Sequence, residues 1–390
     1  GPQAAELFAG GFLAAHDRGP AAELLLAVRA ARRALAVNPD NGGAYLLLGE
    51  AYLRLANQLA DRRWQAAIPS LADLRHVQAL TALEQAALLR PDLDEAHALL
   101  APLYYDTGQW DRALDHLRHR LRIAEREAAG RGPEAAVAAE RRDELRGRVG
   151  TMEALVERSL KIYEANVTDQ APSKVFQRAE KAARYGLTRK ALEMLLESNN
   201  AIFGAAGAHL QLKLMLQAGR AFEVRAWLEP GVESVVGFEA YHWLRAQATA
   251  ACGDFAGADA ELEAVSEALR QFPPPPALGM AARSVMSLGA AGPVLARPAP
   301  GVPAALAGVA FFEFQALRPM PGPVGQLRKE ADLRALRGLL ALEPGAVEVA
   351  RAHLRTALDV WGDDARAAAG AGLDFPARPP AQQALRRLED

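Results

Sequence analysis

The stretch DEAHALLAPLYYDTGQWDRALDHLRHRL, Asp94 to Leu121, sets a glycine between two apolar runs of equal spacing. Ala98, Leu99, Leu103 and Tyr104 recur at helical intervals before Gly108, and Ala113, Leu114, Leu117 and Leu121 do so after it. Two amphipathic helices with so few residues between them must turn back on one another. A helix ends most easily on a glycine in the left-handed region, which makes Gly108 the turn. An antiparallel hairpin of this kind leaves one apolar side bare, so it needs a neighbour, and the rest of the chain has to be searched for copies of it.

The copies are present. From Asp94 the markers fall at Ala101, Tyr104, Gly108, Ala113 and Leu117; the preceding unit, from Gly42, carries Tyr45, Leu48, Gly49 and Tyr52 as Y-x2-L-G-x2-Y. That unit ends with Ala79, Leu83, Ala86 and Pro91, and Ala27, Ala31, Ala34 and Pro39 supply the same ending one unit earlier. The turn returns around Gly186, Gly219, Gly253 and Gly345, the last flanked by Gly338, Ala341, Ala350, Leu354 and Ala357. These offsets, in a unit of about 34 residues, resemble the tetratricopeptide-repeat family. The resemblance covers most of the chain. It implies an all-α fold, a right-handed superhelical array of antiparallel helical hairpins (an α-solenoid), and a scaffold-type protein.

Three stretches depart from the pattern. Between Tyr52 and Ala79 the unit is about 18 residues too long, close to five helical turns, which keeps the faces in phase. Both helices of that hairpin are therefore expected to be extended, the first through LRLANQLADRRW and the second from about Pro69. A Gly-Pro break and a long charged helix follow the Asp94 unit. Proline-rich runs such as QFPPPPALGM and RPMPGPVG read as stiff loops. The expected organisation is an N-terminal array over 3–127, a long helical connector over 128–170, central repeats over 171–270, an irregular proline-rich segment over 271–325, and a C-terminal hairpin and tail over 326–390.

Composition narrows the function. With 45 basic and 47 acidic residues the formal net charge is -2, so no global field draws nucleic acid or anionic lipid. Only six of the basic residues are lysines, and the arginines alternate with acids, as in RRDELRGR (141–148), the pattern of a solvated helix face. No apolar run is long enough to span a bilayer. A leading Gly-Pro reads as the remnant of tag removal, which places the natural N-terminus upstream and leaves the compartment open: cytoplasmic, periplasmic or membrane-anchored. The Ala-, Arg- and Gly-rich usage suggests a bacterial source. No phosphate-cradling glycine loop and no HExxH occur. His116 and His119 share a helix but lack further ligands, so they are expected on a solvated polar face. Cys252, the single cysteine, reads as a small buried residue. No catalytic residue, cofactor or metal is expected.

What remains is the surface that stacked hairpins create. By resemblance, the first helix of each pair lines a concave wall, and the inward positions carry Glu50, Leu53 and Arg54, then Glu95, Ala98, Pro102, Tyr105 and Asp106, then Phe176, Glu180 and Arg184, then Lys213 and Gln217, and Trp243. Family members that clamp a C-terminal carboxylate use Lys and Asn at such positions; here Leu46 and Glu50 stand there, which argues against that clamp. The expected function is non-catalytic: a scaffold or adaptor that binds a peptide or helix of a protein partner. The alternatives are the regulatory helical part of a larger effector or enzyme, and a structural subunit of a bacterial envelope assembly.

Overall fold

The computed structural model describes residues 22–57, 69–130, 132–167, 174–197, 204–271 and 323–370. The Gly-Pro start, the PPPP run and most of the proline-rich segment, and the C-terminal tail lie outside them. Every regular element among the described residues is helical. In order these are α1 (Ala22–Val37), α2 (Gly42–Asn57), α3 (Pro69–Leu89), α4 (Asp94–Asp106), α5 (Trp110–Ala128), α6 (Pro133–Asn166), α7 (Val175–Arg184), α8 (Thr188–Glu197), α9 (Gly204–Gln217), α10 (Ala221–Trp227), α11 (Glu233–Val236), α12 (Phe238–Ala251), α13 (Phe255–Gln271), α14 (Pro323–Ala341) and α15 (Val347–Gly370). None is long and apolar enough to cross a membrane. The fold is the all-α array of helical hairpins expected from the repeat. α3 begins at Pro69, where proline suits a first helical turn.

The five turn glycines named from the sequence share one geometry. Gly108, Gly186, Gly219, Gly253 and Gly345 have φ of 73°, 76°, 71°, 90° and 93°. In each turn the glycine N–H donates to the carbonyl three residues back, and the next N–H to the carbonyl five back from itself. At Gly108 these are the bonds to Tyr105 and, from Gln109, to Tyr104 at 2.8 Å; at Gly253 they run to Ala250 and, from Asp254, to Thr249 at 3.0 Å. This paired pattern is the Schellman closure of a helix C-terminus.

Two compact units divide the chain, one of residues 1–58 and 73–258, the other of 59–72 and 259–390. In the second, Ala331, Ala335 and Leu336 of α14 are buried, as are Ala350, Leu354 and Ala357 of α15. Gly338 permits close contact there, because a Cβ would meet Leu354 Cγ at 2.9 Å and Ala350 C=O at 3.1 Å. Arg337 donates from Nε and Nη2 to the two carboxylate oxygens of Asp259 (2.5 and 2.9 Å) and also pairs with Glu263.

In the first unit, α1 and α2 enclose a core of Leu24, Val28, Leu48, Tyr52 and Leu55, and a larger core gathers Ala179, Leu195, Met215, Val224, Tyr241 and Leu244 from later helices. Later turns dock on earlier helices. A Cβ on Gly186 would strike the Trp110 ring and Gly108 C=O, one on Gly219 would strike Glu84 and Leu80, and one on Gly253 would strike Arg32. As the turns advance along the chain, the residues that receive them step back towards its start. Side chains fix each docking. Asp111, 3% exposed, accepts from the backbone N–H groups of Thr188 (3.1 Å) and Arg189 (2.8 Å) and so caps α8 from 77 residues away. Gln109 Nε2 donates to Gln217 C=O (2.9 Å), and Arg112 Nη2 to Ala218 C=O (3.1 Å). Arg32 Nη2 donates to Ala251 C=O (2.9 Å), satisfying an end carbonyl of α12.

Candidate functional site

The sequence-derived binding residues fall on five first helices. On α2, Glu50 and Arg54 form an ion pair one turn apart, and Leu53 is half-buried against the core of α1 and α2. α2 touches α4, where Tyr105 is 48% exposed and Asp106 is exposed. These five residues are therefore on adjacent helices. Glu180 and Arg184 pair at 2.6 Å on α7, which packs on α8. Lys213 and Gln217 on α9 and Trp243 on α12 are half-buried, on helices that touch each other. Phe176 is half-buried as well.

The exposed side of α4 follows from its register. Ala96, His97, Leu100, Ala101, Leu103 and Tyr104 are buried, and at about 100° per residue they centre on one side of the helix. Glu95, Pro102, Tyr105 and Asp106 are exposed, Ala98 and Leu99 half-exposed, and these six span the opposite arc. A helix with this buried set on one side and the exposed set on the other has one face for the core and one for solvent or a partner.

Behind that face lies a polar knot that sequence reasoning missed. Glu84 of α3 accepts from Tyr104 Oη (2.5 Å), Arg112 Nη2 (2.8 Å) and His116 Nε2 (3.2 Å). Arg112 also lies over the Tyr104 ring, 4.7 Å from its centroid. Burial raises the Glu84 carboxyl pKa, but the donors from His116 and Tyr104 and the Arg112 charge outweigh it and hold the group down at about 2. Its counterpart one unit earlier is Arg32, which donates to Tyr52 Oη at 3.4 Å across the same sequence separation of 20. The same repeat position thus holds a cation in one unit and an anion in the next. Each is the residue on which a remote turn docks.

His116 is a correction to the sequence expectation. It is 7% exposed, not solvated, because α4 and α6 both pack on α5. Its Nδ1 lies 2.9 Å from His97 Nδ1, while His97 Nε2 lies 3.2 Å from Pro91 C=O. The ends of this chain, a carbonyl and a carboxylate, are acceptors only. The two imidazoles thus link Pro91 C=O to the Glu84 carboxylate in one polar chain. Burial, then the charge of His116, pushes His97 down to about 4. His119, half-buried, stacks on His97 with ring centroids 4.8 Å apart. Among the described residues no group of three or more His, Cys, Asp or Glu is arranged to hold a metal ion. Cys252 is a poor nucleophile, its thiol pushed up to about 11 by burial.

The arginine-rich stretch of α6 is solvated as expected: Arg146 pairs with Glu125 and Asp143, Arg148 with Glu144, and Arg141 with Glu127.

No protein-family model matches the sequence, and no curated protein is significantly similar to it. Among solved structures, the chain is similar to one described as the P58(IPK) TPR domain, at 14% identity and a TM-score of 0.27, over 100% of this chain and 97% of that one.

Proposed function

We propose that the protein is a non-catalytic interaction scaffold that binds a segment of a protein partner on the first helices of its hairpins, with α2 and α4 at the centre of the contact. The supporting observation is the division of α4: its inner stripe is committed to the core and to the Glu84 knot, while Tyr105 stands nearly half exposed on the outer side with no structural duty that its position explains. Aromatic and arginine side chains dominate binding energetics, which makes Tyr105 the side chain of this face with most to contribute. Arg54, on the adjacent helix, adds a cation whose neighbour Glu50 keeps it ordered.

Arg54→Ala combined with Tyr105→Ala tests the reading by cross-linking the full chain to its partner in cells of the source organism and quantifying the conjugate. The double variant should lose at least nine-tenths of it at unchanged melting temperature. Arg118→Ala and Arg142→Ala remove exposed cations paired with Glu153 and Asp143 and should retain it. Loss in these controls with retention in the double variant would move the binding face elsewhere.

A further inference from the structure

The outer face of α4 has a chemistry that selects its occupant. At its two ends stand Glu95 and Asp106, and among the described residues neither carboxylate has an ion-pair or hydrogen-bond partner. The acids nearest to them are matched: Asp94, the neighbour of Glu95, is held by Arg120 at 2.9 Å, and Glu50 on the touching helix is held by Arg54. The patch is therefore negative by two charges that nothing described on the protein neutralises. Between the two acids lie Ala98, Leu99, Pro102 and Tyr105. Pro102 is inside the helix and has no N–H, so it cannot close the helical hydrogen bond to the carbonyl of Ala98, on the same arc. The face thus offers two carboxylates, a freed carbonyl and an aromatic ring. Each is an acceptor of hydrogen bonds or of positive charge, and together they match a cationic donor.

We infer that this face docks a basic, arginine-bearing segment of the partner. The inference rests on the proposed binding face and adds the chemistry of what it takes. Arginine fits better than lysine because a planar guanidinium can stack on the Tyr105 ring while its N–H groups reach a carboxylate or the Ala98 carbonyl. The distance sets a spacing. Glu95 and Asp106 are 11 residues apart (106 minus 95) on one helix, about 16 Å at 1.5 Å per residue. An extended chain covers that in about five residues. The matching ligand carries two arginines about five positions apart with small residues between. An acidic tail, the partner of a carboxylate clamp, is repelled by the same pair.

The test is fluorescence anisotropy on the full chain with four labelled, acetylated and amidated peptides of one Ser/Gly background: two arginines five apart, two lysines, two glutamates, and none charged. The arginine peptide should bind at least ten-fold tighter than the uncharged one and tighter than the lysine peptide, and weaken as salt rises from 50 to 300 mM. Glu95→Gln with Asp106→Asn should lose that margin. Glu134→Gln with Glu140→Gln, which removes two exposed acids from α6, should change it less than two-fold. Equal loss in both pairs, or no preference for arginine over glutamate, overturns the inference. Tyr105→Ala separates it from the broader reading. If the glutamate peptide binds and Tyr105→Ala abolishes that binding, the face is a docking site and its basic preference is wrong. If neither Tyr105→Ala nor Arg54→Ala affects any peptide, both readings fall. Far-UV dichroism of each variant confirms that it is folded.

Discussion

Glu84→Gln is the most informative single change, since it removes one charge and almost no volume from the middle of the polar knot. The wild-type carboxylate accepts three hydrogen bonds, from Tyr104, Arg112 and His116. All three donors converge on Oε1, which glutamine retains as its amide oxygen, so the change keeps the acceptor and removes the negative charge. The Arg112 side chain, 18% exposed, is left largely uncompensated. Breaking a buried pair by removing one partner costs about 3–5 kcal/mol. Because Glu84 is itself 20% exposed, the low end applies, about 3 kcal/mol. For a unit of this size that corresponds to a fall in melting temperature of about 6–12 °C. Urea denaturation at pH 7, followed by circular dichroism, measures the loss directly, with Asp143→Asn on an exposed pair as the control expected to leave the midpoint nearly unchanged. The pH profile supplies the second readout. A carboxyl depressed from 4.5 to about 2 contributes stability that is present above pH 4.5 and lost as the pH falls towards 2. The wild type should therefore converge on the variant over that window. A loss below about 1 kcal/mol at pH 7, or parallel acid profiles, would mean that the knot is incidental to stability.

Gly108→Val and Gly253→Val should each cost about 1 kcal/mol or more because both turns need positive φ, and Gly253 more, since its Cβ would meet Arg32 Nη1 at 2.5 Å; equal and unchanged thermal melts would refute the capping role. Asp111→Ala should cost about 1–2 kcal/mol and speed hydrogen exchange at the amides of Thr188 and Arg189, while exchange rates unchanged at those two positions would show that the remote cap is idle. His76, by burial, and His97, by burial and the His116 charge, have pKa values lowered to about 4, with Pro91 C=O, His116, His119 and Glu84 facing His97. Each binds its proton more weakly folded than unfolded, so stability should drop as the pH falls from 6.5 towards 4, and urea midpoints that coincide at pH 7 and pH 5 would contradict this.

The turns were legible because their chemistry is local: five glycines, each followed by a helix start, announce five Schellman closures without reference to anything distant. The start of α3 at Pro69 was legible for the same reason. His116 was not. Its neighbours along α5 include Arg118, Arg120 and Arg122, and only the packing of α4 and α6 turns this residue inward. Glu84 left a faint signal, a lone acid in the apolar run ALEQAALL at the repeat position that Arg32 occupies one unit earlier. That alternation of sign says nothing by itself about which remote turn lies beyond it. For the face of α4, the apolar spacing groups Ala98 and Leu99 with Leu103 and Tyr104, whereas the structure leaves the first two on the outer arc and buries His97; nor can the sequence show that Glu95 and Asp106 lack partners when Asp94 has one.

The docking of late turns on early helices changes how this array should fold. Most repeat arrays are quasi-one-dimensional: each unit meets its neighbours, nucleation can begin anywhere, and stability grows with every added repeat. Here Asp111 reaches Thr188 across 77 residues, Gln109 reaches Gln217 across 108, and Arg32 reaches Ala251 across 219. Contacts of such separation raise the contact order and place a loop-closure cost before any reward, which slows folding relative to a linear array. They also couple the two ends of the first unit. The last carbonyl of α12, that of Ala251, is met by a side chain of α1, so deletion of α1 should loosen the C-terminal end of α12 before it loosens α4 and α5. Unfolding of the unit should then approach a single cooperative step in place of fraying from its termini.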